Sequence, residues 1–276
     1  MNRQFTESDM KSFEPEAKLG LLATVTPDGL PHITLITTFR AKSAVELMWG
    51  QFIEGKSKKN VQTNPKTAFA ILNNDRQLWR GTAVWTHTAR EGDDYTVFNN
   101  MPMFRYNSYF GIHTVHYMDL VGTTGMTMLK LPQVITSSLL TMAARQFAGT
   151  GVKDEILKPF AVGLFNGMTT VKFISWIGAD GFPRLVPAMQ CQAADSRRLV
   201  FVPFAYGDEL AEIPDGATVA VFGVSFSMED CLVRGRFSRR AGLPFCHVDI
   251  NWVYNSMPPN PGQIYPEVKL EPVTVF

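Results

Sequence analysis

The segment Gly50–Pro65, GQFIEGKSKKNVQTNP, holds the residues best suited to chemistry. Its start fits G-x-x-x-x-G-K-[ST], the pattern of a nucleoside-triphosphate loop. Such a loop works because small residues let backbone amides turn inward onto the phosphates. Here the intervening residues are Gln51, Phe52, Ile53 and Glu54. Two are bulky, and a glutamate beside a triphosphate repels it. The helix expected from Ser57 to Asn64 meets Pro65 after about two turns, too short to carry such a loop on a parallel sheet. The nearest candidate for a magnesium-binding strand end, VHYMD, is interrupted by His116 and Tyr117. A simpler chemistry survives. Lys56 can donate to a phosphate as a point charge, Ser57 can donate its hydroxyl, and a helix N-terminus adds amides and a favourable dipole. That is a site for one terminal phosphate. Lys58 and Lys59 read as solvated surface charges.

Other chemistry-bearing residues are less well placed. His113 and His116 would face opposite sides of a strand, which disfavours a shared metal. His32 reads as a structural histidine, and His247, near Cys246 and Asp249, lacks a second ligand pair. Asp93 and Asp94 suit the opening of a helix. Arg105 is an anion-binding or surface-pairing residue. Trp252, Tyr254 and Tyr265 stand among prolines. Packing of a terminal strand and rigid tail explains them better than an aromatic lid, and Pro258, Pro259 and Pro261 are expected to end regular structure.

The elements that must carry these residues occur twice. LLATVTPDGLPHITLI (21–36) and FISWIGADGFPRLVPA (173–188) both place Asp-Gly-x-Pro between two β-rich runs. Asp28 to Asp180 is an offset of 152 residues. VELMW (45–49) then faces RRLVF (197–201), TAFAI (67–71) faces TVAVF (218–222), and LWRGTA (78–83) faces LVRGRF (232–237). Agreement in order and spacing along such a length indicates two copies of one β-unit. Asp28-Gly29 and Asp180-Gly181 are hairpin turn dipeptides. Gly81 and Gly235, inside strand patterns, predict bulges or close backbone approach. Short strands at this spacing, without a helix after each, favour antiparallel barrels over a doubly wound sheet. Asn107–Gly125 and the PFCHVDINWVYNSMPP tail would complete the two copies. A short helix precedes Lys18. Between the copies, Leu131–Phe147 predicts a helix with Val134, Leu139, Met142 and Phe147 on its apolar face. Lys153–Gly167 predicts another, with Asp154 and Glu155 in its first turn, Pro159 as a kink or restart, and Gly167 past its end.

The bulk numbers agree. The chain has 276 residues, 45% apolar, enough for a sizeable core. A net charge of +1 gives no global pull toward nucleic acid or membrane. Cys191, Cys231 and Cys246 are scattered and read as reduced thiols of a cytoplasmic protein. The N-terminal residues lack an apolar signal region, and no membrane-length apolar run occurs.

On LATVTPDGLPHI, VELMWG, GKSKKNVQTNPKTAFAI and QLWRGTAVW, the chain resembles the FMN-binding split-barrel superfamily, which includes pyridoxamine 5′-phosphate oxidase. Residues 15–90 carry the resemblance well and 160–240 as a diverged second copy. It implies a mainly β fold: two tandem antiparallel split barrels, a pseudo-dimer within one chain, with connecting helices. The expected boundaries are 1–128 for the first copy, 129–166 for a helical connector and 167–276 for the second copy. It implies FMN as cofactor. Lys56 and Ser57 match the phosphate-binding pair, and Asn60 the small polar residue one helical turn on that caps or orients the loop. Thr34, Leu35, Ile36 and Thr37 match the strand under the isoalloxazine ring. Trp49 and Gly50 match the strand end near the ribityl chain, and Gln77 a flavin-contacting glutamine. Departures argue against true pyridoxamine phosphate oxidation: Thr34 stands where the oxidase has an arginine, and no counterpart of its substrate-binding histidine and arginine can be placed. Asp208 and Glu209 stand where copy one has Lys56 and Ser57, and two carboxylates repel a phosphate. One flavin per chain follows, its ring partly covered by copy two. The expected partner is a small redox substrate or an electron-transfer protein, with no nucleic acid or membrane; a further homodimer stays open. The rival expectations are a non-enzymatic flavin carrier or sensor, and a haem- or F420-binding relative.

Overall fold

The structure is a computed structural model, which describes residues 1–51, 53–105, 111–152, 155–225, 227–239, 242–256 and 261–268. Phe52, Asn107 to Phe110 of the proposed completing segment, Lys153 and Asp154 of the expected connector helix, and Pro258 and Pro259 lie outside these residues.

The first half opens with α1 (Glu7–Ser12). Thr6 caps it, and Asp9 returns the bond in a capping box. Then come β1 (Lys18–Val25), β2 (Pro31–Leu35), β3 (Arg40–Ser43), β4 (Glu46–Gln51), α2 (Lys56–Thr63), β5 (Lys66–Asn73), β6 (Gln77–Ala89), α3 (Asp93–Asn99), β7 (Thr114–Thr123) and β8 (Thr127–Met128). The strands form one antiparallel sheet in the order β2-β1-β5-β6-β7-β4-β3, with β8 beside β6. Leu22, Ile36, Trp49, Phe69, Trp79 and Met118 fill its core.

Two helices follow, α4 (Leu131–Ala148) and α5 (Pro159–Asn166). The second half then repeats the pattern: β9 (Val171–Ile177), β10 (Pro183–Pro187), β11 (Gln192–Ala193), β12 (Arg198–Phe201), α6 (Gly207–Ala211), β13 (Thr218–Val224), β14 (Asp230–Arg239), β15 (Cys246–Asn255) and β16 (Gly262–Tyr265). Its order is β10-β9-β13-β14-β15-β12-β11, element for element that of the first sheet. The repeat in the sequence is thus a repeat in topology: two tandem antiparallel split barrels with connecting helices. By compactness the chain divides into Met1–Leu131 with Ile174–Val186, and Pro132–Phe173 with Pro187–Phe276.

Local details support the duplication. Gly29 and Gly181 both take positive φ, 75° and 78°, in their hairpin turns. A Cβ on Gly81 would strike the Gly122 carbonyl, and one on Gly235 the Asp249 carbonyl. The ladder shifts register at Gly235 and one residue beyond Gly81, between Thr82 and Ala83. The bulge and the close approach read from the sequence are therefore both present.

Three expectations are corrected. The α4 helix forms as expected, but its buried stripe is Val134, Ser137, Ser138, Thr141 and Ala148. Leu139 and Met142 are exposed, and Phe147 is 87% exposed. Hydrogen bonding outweighs periodicity here. Ser137 Oγ accepts from the Ala205 amide and Thr141 Oγ1 from the Val202 amide, each at 2.9 Å. Two buried donors past the end of β12 are thereby satisfied. The second connector helix begins only at Pro159, which occupies its first turn, so Glu155 precedes it. Regular structure also resumes after Pro261, where β16 pairs with β15. Trp252 and Tyr254 lie buried within β15, with Trp252 under the Arg234 guanidinium at 3.6 Å and bonded to Gln263. They pack rather than form an exposed lid.

Candidate anion-binding site at the start of α2

Strand β4 delivers the chain to α2, and Asn64-Pro65 stops the helix after eight residues. The sheet beneath is antiparallel, with β4 between β3 and β7. The strand–loop–helix setting of a triphosphate loop, a parallel sheet, is absent. Gly55 caps α2 in an extended conformation and makes no side-chain cap bond. The first-turn amides therefore receive no acceptor from the cap side chain.

The helix buries one face: Ser57, Lys58, Asn60 and Val61. Val61 joins the barrel core. Asn60 Nδ2 donates to Thr24 Oγ1 at 2.9 Å and so ties α2 to β1. Ser57 is fully buried, and its Oγ has no hydrogen-bond partner among the described residues. Such an orphan costs about 1–3 kcal/mol, which a bound acceptor would recover. Lys56 is exposed at the first helical position.

Lys58 departs from the sequence reading. It is not a solvated charge; only 6% of it is exposed. Its Nζ lies 5.9 Å from the centroid of the Trp49 ring. Burial lowers its pKa to about 8, with the Glu54 carboxylate partly opposing the shift. Lys59 is exposed, as expected. The signal for Lys58 was its spacing: residues 57, 58, 60 and 61 share one helical face.

A directional relay stands behind the loop. His116 stacks on Trp49 with centroids 3.8 Å apart and planes 5° apart. The Trp85 indole N–H donates to His116 Nδ1 at 3.2 Å. The histidine proton therefore sits on Nε2, where it faces Gln51 Oε1 at 2.8 Å. Gln51 Nε2 then donates to Glu54 at 3.2 Å. Burial, with help from the Lys58 and His113 charges, lowers the His116 pKa to about 3, so the ring is neutral. The relay holds Glu54 back toward Gln51. Nothing in the sequence pattern announced it, because its members come from β4, β6 and β7.

The remaining candidates divide. Thr34 and Ile36 are buried, and Leu35 and Thr37 half-buried, at the end of β2. Thr38 binds that end to β4: its hydroxyl donates to the Gly50 carbonyl at 2.9 Å and accepts from the Gly50 amide at 3.1 Å. Thr34–Thr37, Trp49 and Gly50 thus lie at strand ends joined through Thr38, and α2 packs on β1 and β2. Trp49 is wholly buried, so its side chain serves as the floor under His116 and Lys58. Gly50 is required by packing, since a Cβ would meet Ile112 carbons at 2.8–3.0 Å. Gln77 stands apart. Its side chain bonds Asn73 in the β5–β6 turn. Asn73 pairs with Lys18 at one end of β1, whereas Thr24, under α2, lies at the other. That span is roughly 20 Å. Among the described residues no cluster of metal-ligating groups occurs, and the three cysteines are buried and free. No helix is long and apolar enough to cross a membrane.

No family model matches the chain, and no curated protein matches it. Solved structures do. HupZ of Group A Streptococcus is 18% identical, with 43% of this chain and 92% of that one covered at a TM-score of 0.36. An FMN-binding protein from Syntrophomonas wolfei is 15% identical over 41% and 79%, at 0.34. An F420 reductase is 18% identical over 41% and 94%, at 0.33. By its own strand order the chain is a pair of split barrels, the fold of the superfamily that its sequence resembles.

Proposed function

We propose that the protein binds a flavin mononucleotide through the start of α2 and serves in electron transfer or as an oxidoreductase. The observation that carries this is the donor set. An uncapped eight-residue helix presents its amides beside Lys56, with the orphaned, buried Ser57 hydroxyl at its second position. Cation, hydroxyl and amides together suit a terminal phosphate. The resemblance on neighbouring motifs supplies the rest of the ligand.

On this reading Lys56 and Ser57 hold the phosphate, Asn60 keeps α2 seated on β1, and Thr38 aligns the two strand ends beside it. When bound, the flavin supplies one- or two-electron chemistry at its ring, while the protein orients it. The neutral His116 adds no charge, so the electrostatics there come from lysines and helix amides. The test is to release the cofactor of the purified protein by heat and identify it. FMN is expected, and Lys56→Glu should lower retention by about 100-fold, since it replaces a charge-assisted bond with repulsion. Full flavin retention in Lys56→Glu would sink the assignment.

A further inference from the structure

A buried ammonium with no anion beside it is an expensive feature. Lys58 makes no hydrogen bond or ion pair among the described residues; its partner is the Trp49 ring face. Its Nζ lies against the open face of the Gly55 cap, 3.5 Å from where a Cβ would stand, and so at the mouth of the α2 N-terminus. The nearest acidic group, Glu54, is engaged by Gln51.

The second half of the chain acts as an internal control. At the repeat offset, Gly55, Lys58 and Val61 correspond to Gly207, Leu210 and Ile213. Leu210 and Ile213 are buried in and just after α6, as Lys58 and Val61 are in α2. The fold therefore asks only for an apolar side chain at this position. The lysine is not needed for packing, and apolar packing would cost less.

We propose that Lys58 is a second cationic ligand of the α2 site, one that selects a dianionic phosphate monoester and takes up a proton as that phosphate binds. This rests on the anion-site reading above. The ionisable groups that interact with Lys58 are Glu54 on the loop and His116 on β7. His116 stays neutral above about pH 3 and adds no repulsion. With its own pKa near 8, Lys58 is partly uncharged at mildly alkaline pH. A dianion beside it restores the charge. A phosphate monoester loses its second proton near pH 6. Binding should thus be strongest between about pH 6 and 8, and weaken up to about tenfold per pH unit above that.

The experiment is calorimetric titration of ligand-free protein with FMN, riboflavin and inorganic phosphate at pH 8, in buffers of different ionisation enthalpy. FMN and phosphate should bind with uptake of about half a proton, and riboflavin with none. Lys58→Met should weaken FMN binding by about 10–100-fold, abolish the proton uptake and leave riboflavin unchanged. Lys58→Arg should keep FMN binding but lose its decline above pH 8. Wild-type proton uptake in Lys58→Met, or equal loss of FMN and riboflavin, would overturn the inference. Lys58-dependent uptake with phosphate but no flavin binding would instead retain Lys58 and remove the flavin reading. Flavin binding without proton uptake would do the reverse.

Discussion

Helices α2 and α6 occupy the same place in two copies of one barrel and do opposite things with their first turns. Both bury a hydrophobic contact, Val61 in one and Ile213 in the other. Around that contact α2 carries Lys56, Ser57 and Lys58, whereas α6 carries Asp208, Glu209 and Leu210. Carboxylates at a helix N-terminus offset its partial positive charge from within the chain. Lysines there leave that charge uncompensated until an anion arrives. The strands behind differ in the same sense. Trp49 pairs with His116 across the β4–β7 ladder, and Phe201 with Cys246 across β12–β15. The polar relay of the first copy has an apolar pair in its place in the second. One fold thus tolerates both a lysine-bearing and a carboxylate-bearing first turn, because it constrains only the residues that pack.

The comparison can be broken most forcefully at Leu210. Leu210→Lys places an ammonium where no anion site exists, and should destabilise the protein by about 3–5 kcal/mol in urea unfolding, with no gain in phosphate binding. A smaller loss would mean that the position is intrinsically tolerant and that Lys58 signifies little. The converse exchange should have the opposite sign. Lys58→Leu is expected to raise the free energy of unfolding by about 1–3 kcal/mol while FMN affinity falls, a separation of stability from binding. Simultaneous loss of both would show that Lys58 has a structural role.

The relay predicts a pH signature. His116 is neutral when folded, its pKa lowered to about 3, but titrates near the ordinary 6.5 when unfolded. Protons therefore favour the unfolded state. Stability is fully present above pH 6.5 and falls by about 1 kcal/mol per pH unit as the pH drops toward 3. His116→Gln should flatten that slope in unfolding titrations from pH 7 to 4. An unchanged slope would place the acid sensitivity in other groups. The smallest effect concerns α6 alone: Asp208→Ala should cost about 0.3–1 kcal/mol through the lost helix-end interaction, with flavin retention unchanged.

Much of this was legible beforehand, for reasons that differ by residue. The Asp-Gly turns could be read because positive φ selects glycine locally. The strand order followed from the duplication, since two copies at one offset must fold alike. The helix expected at Ser57–Asn64 was bounded by Pro65 and forms at Lys56–Thr63. Lys58 was misread because a lysine's charge predicts exposure, and only the packing of α2 on β1 and β2 overrides that. The α4 face was misread for a related reason: Ser137 and Thr141 are wanted inside by the orphan amides of Val202 and Ala205, which belong to another element. Gln77 is assigned by the family resemblance alone; its turn lies at the far end of β1 from Thr24.

By itself, then, the sequence determined the duplication and the antiparallel β class, both set by short-range backbone preference or by repetition. The tertiary structure alone decided which charges are buried, which hydroxyl is left without a partner, and that His116, Gln51 and Glu54 stand in line behind the loop. Those properties depend on what surrounds a side chain once distant strands have met, and desolvation and hydrogen bonding across strands have no counterpart in local sequence.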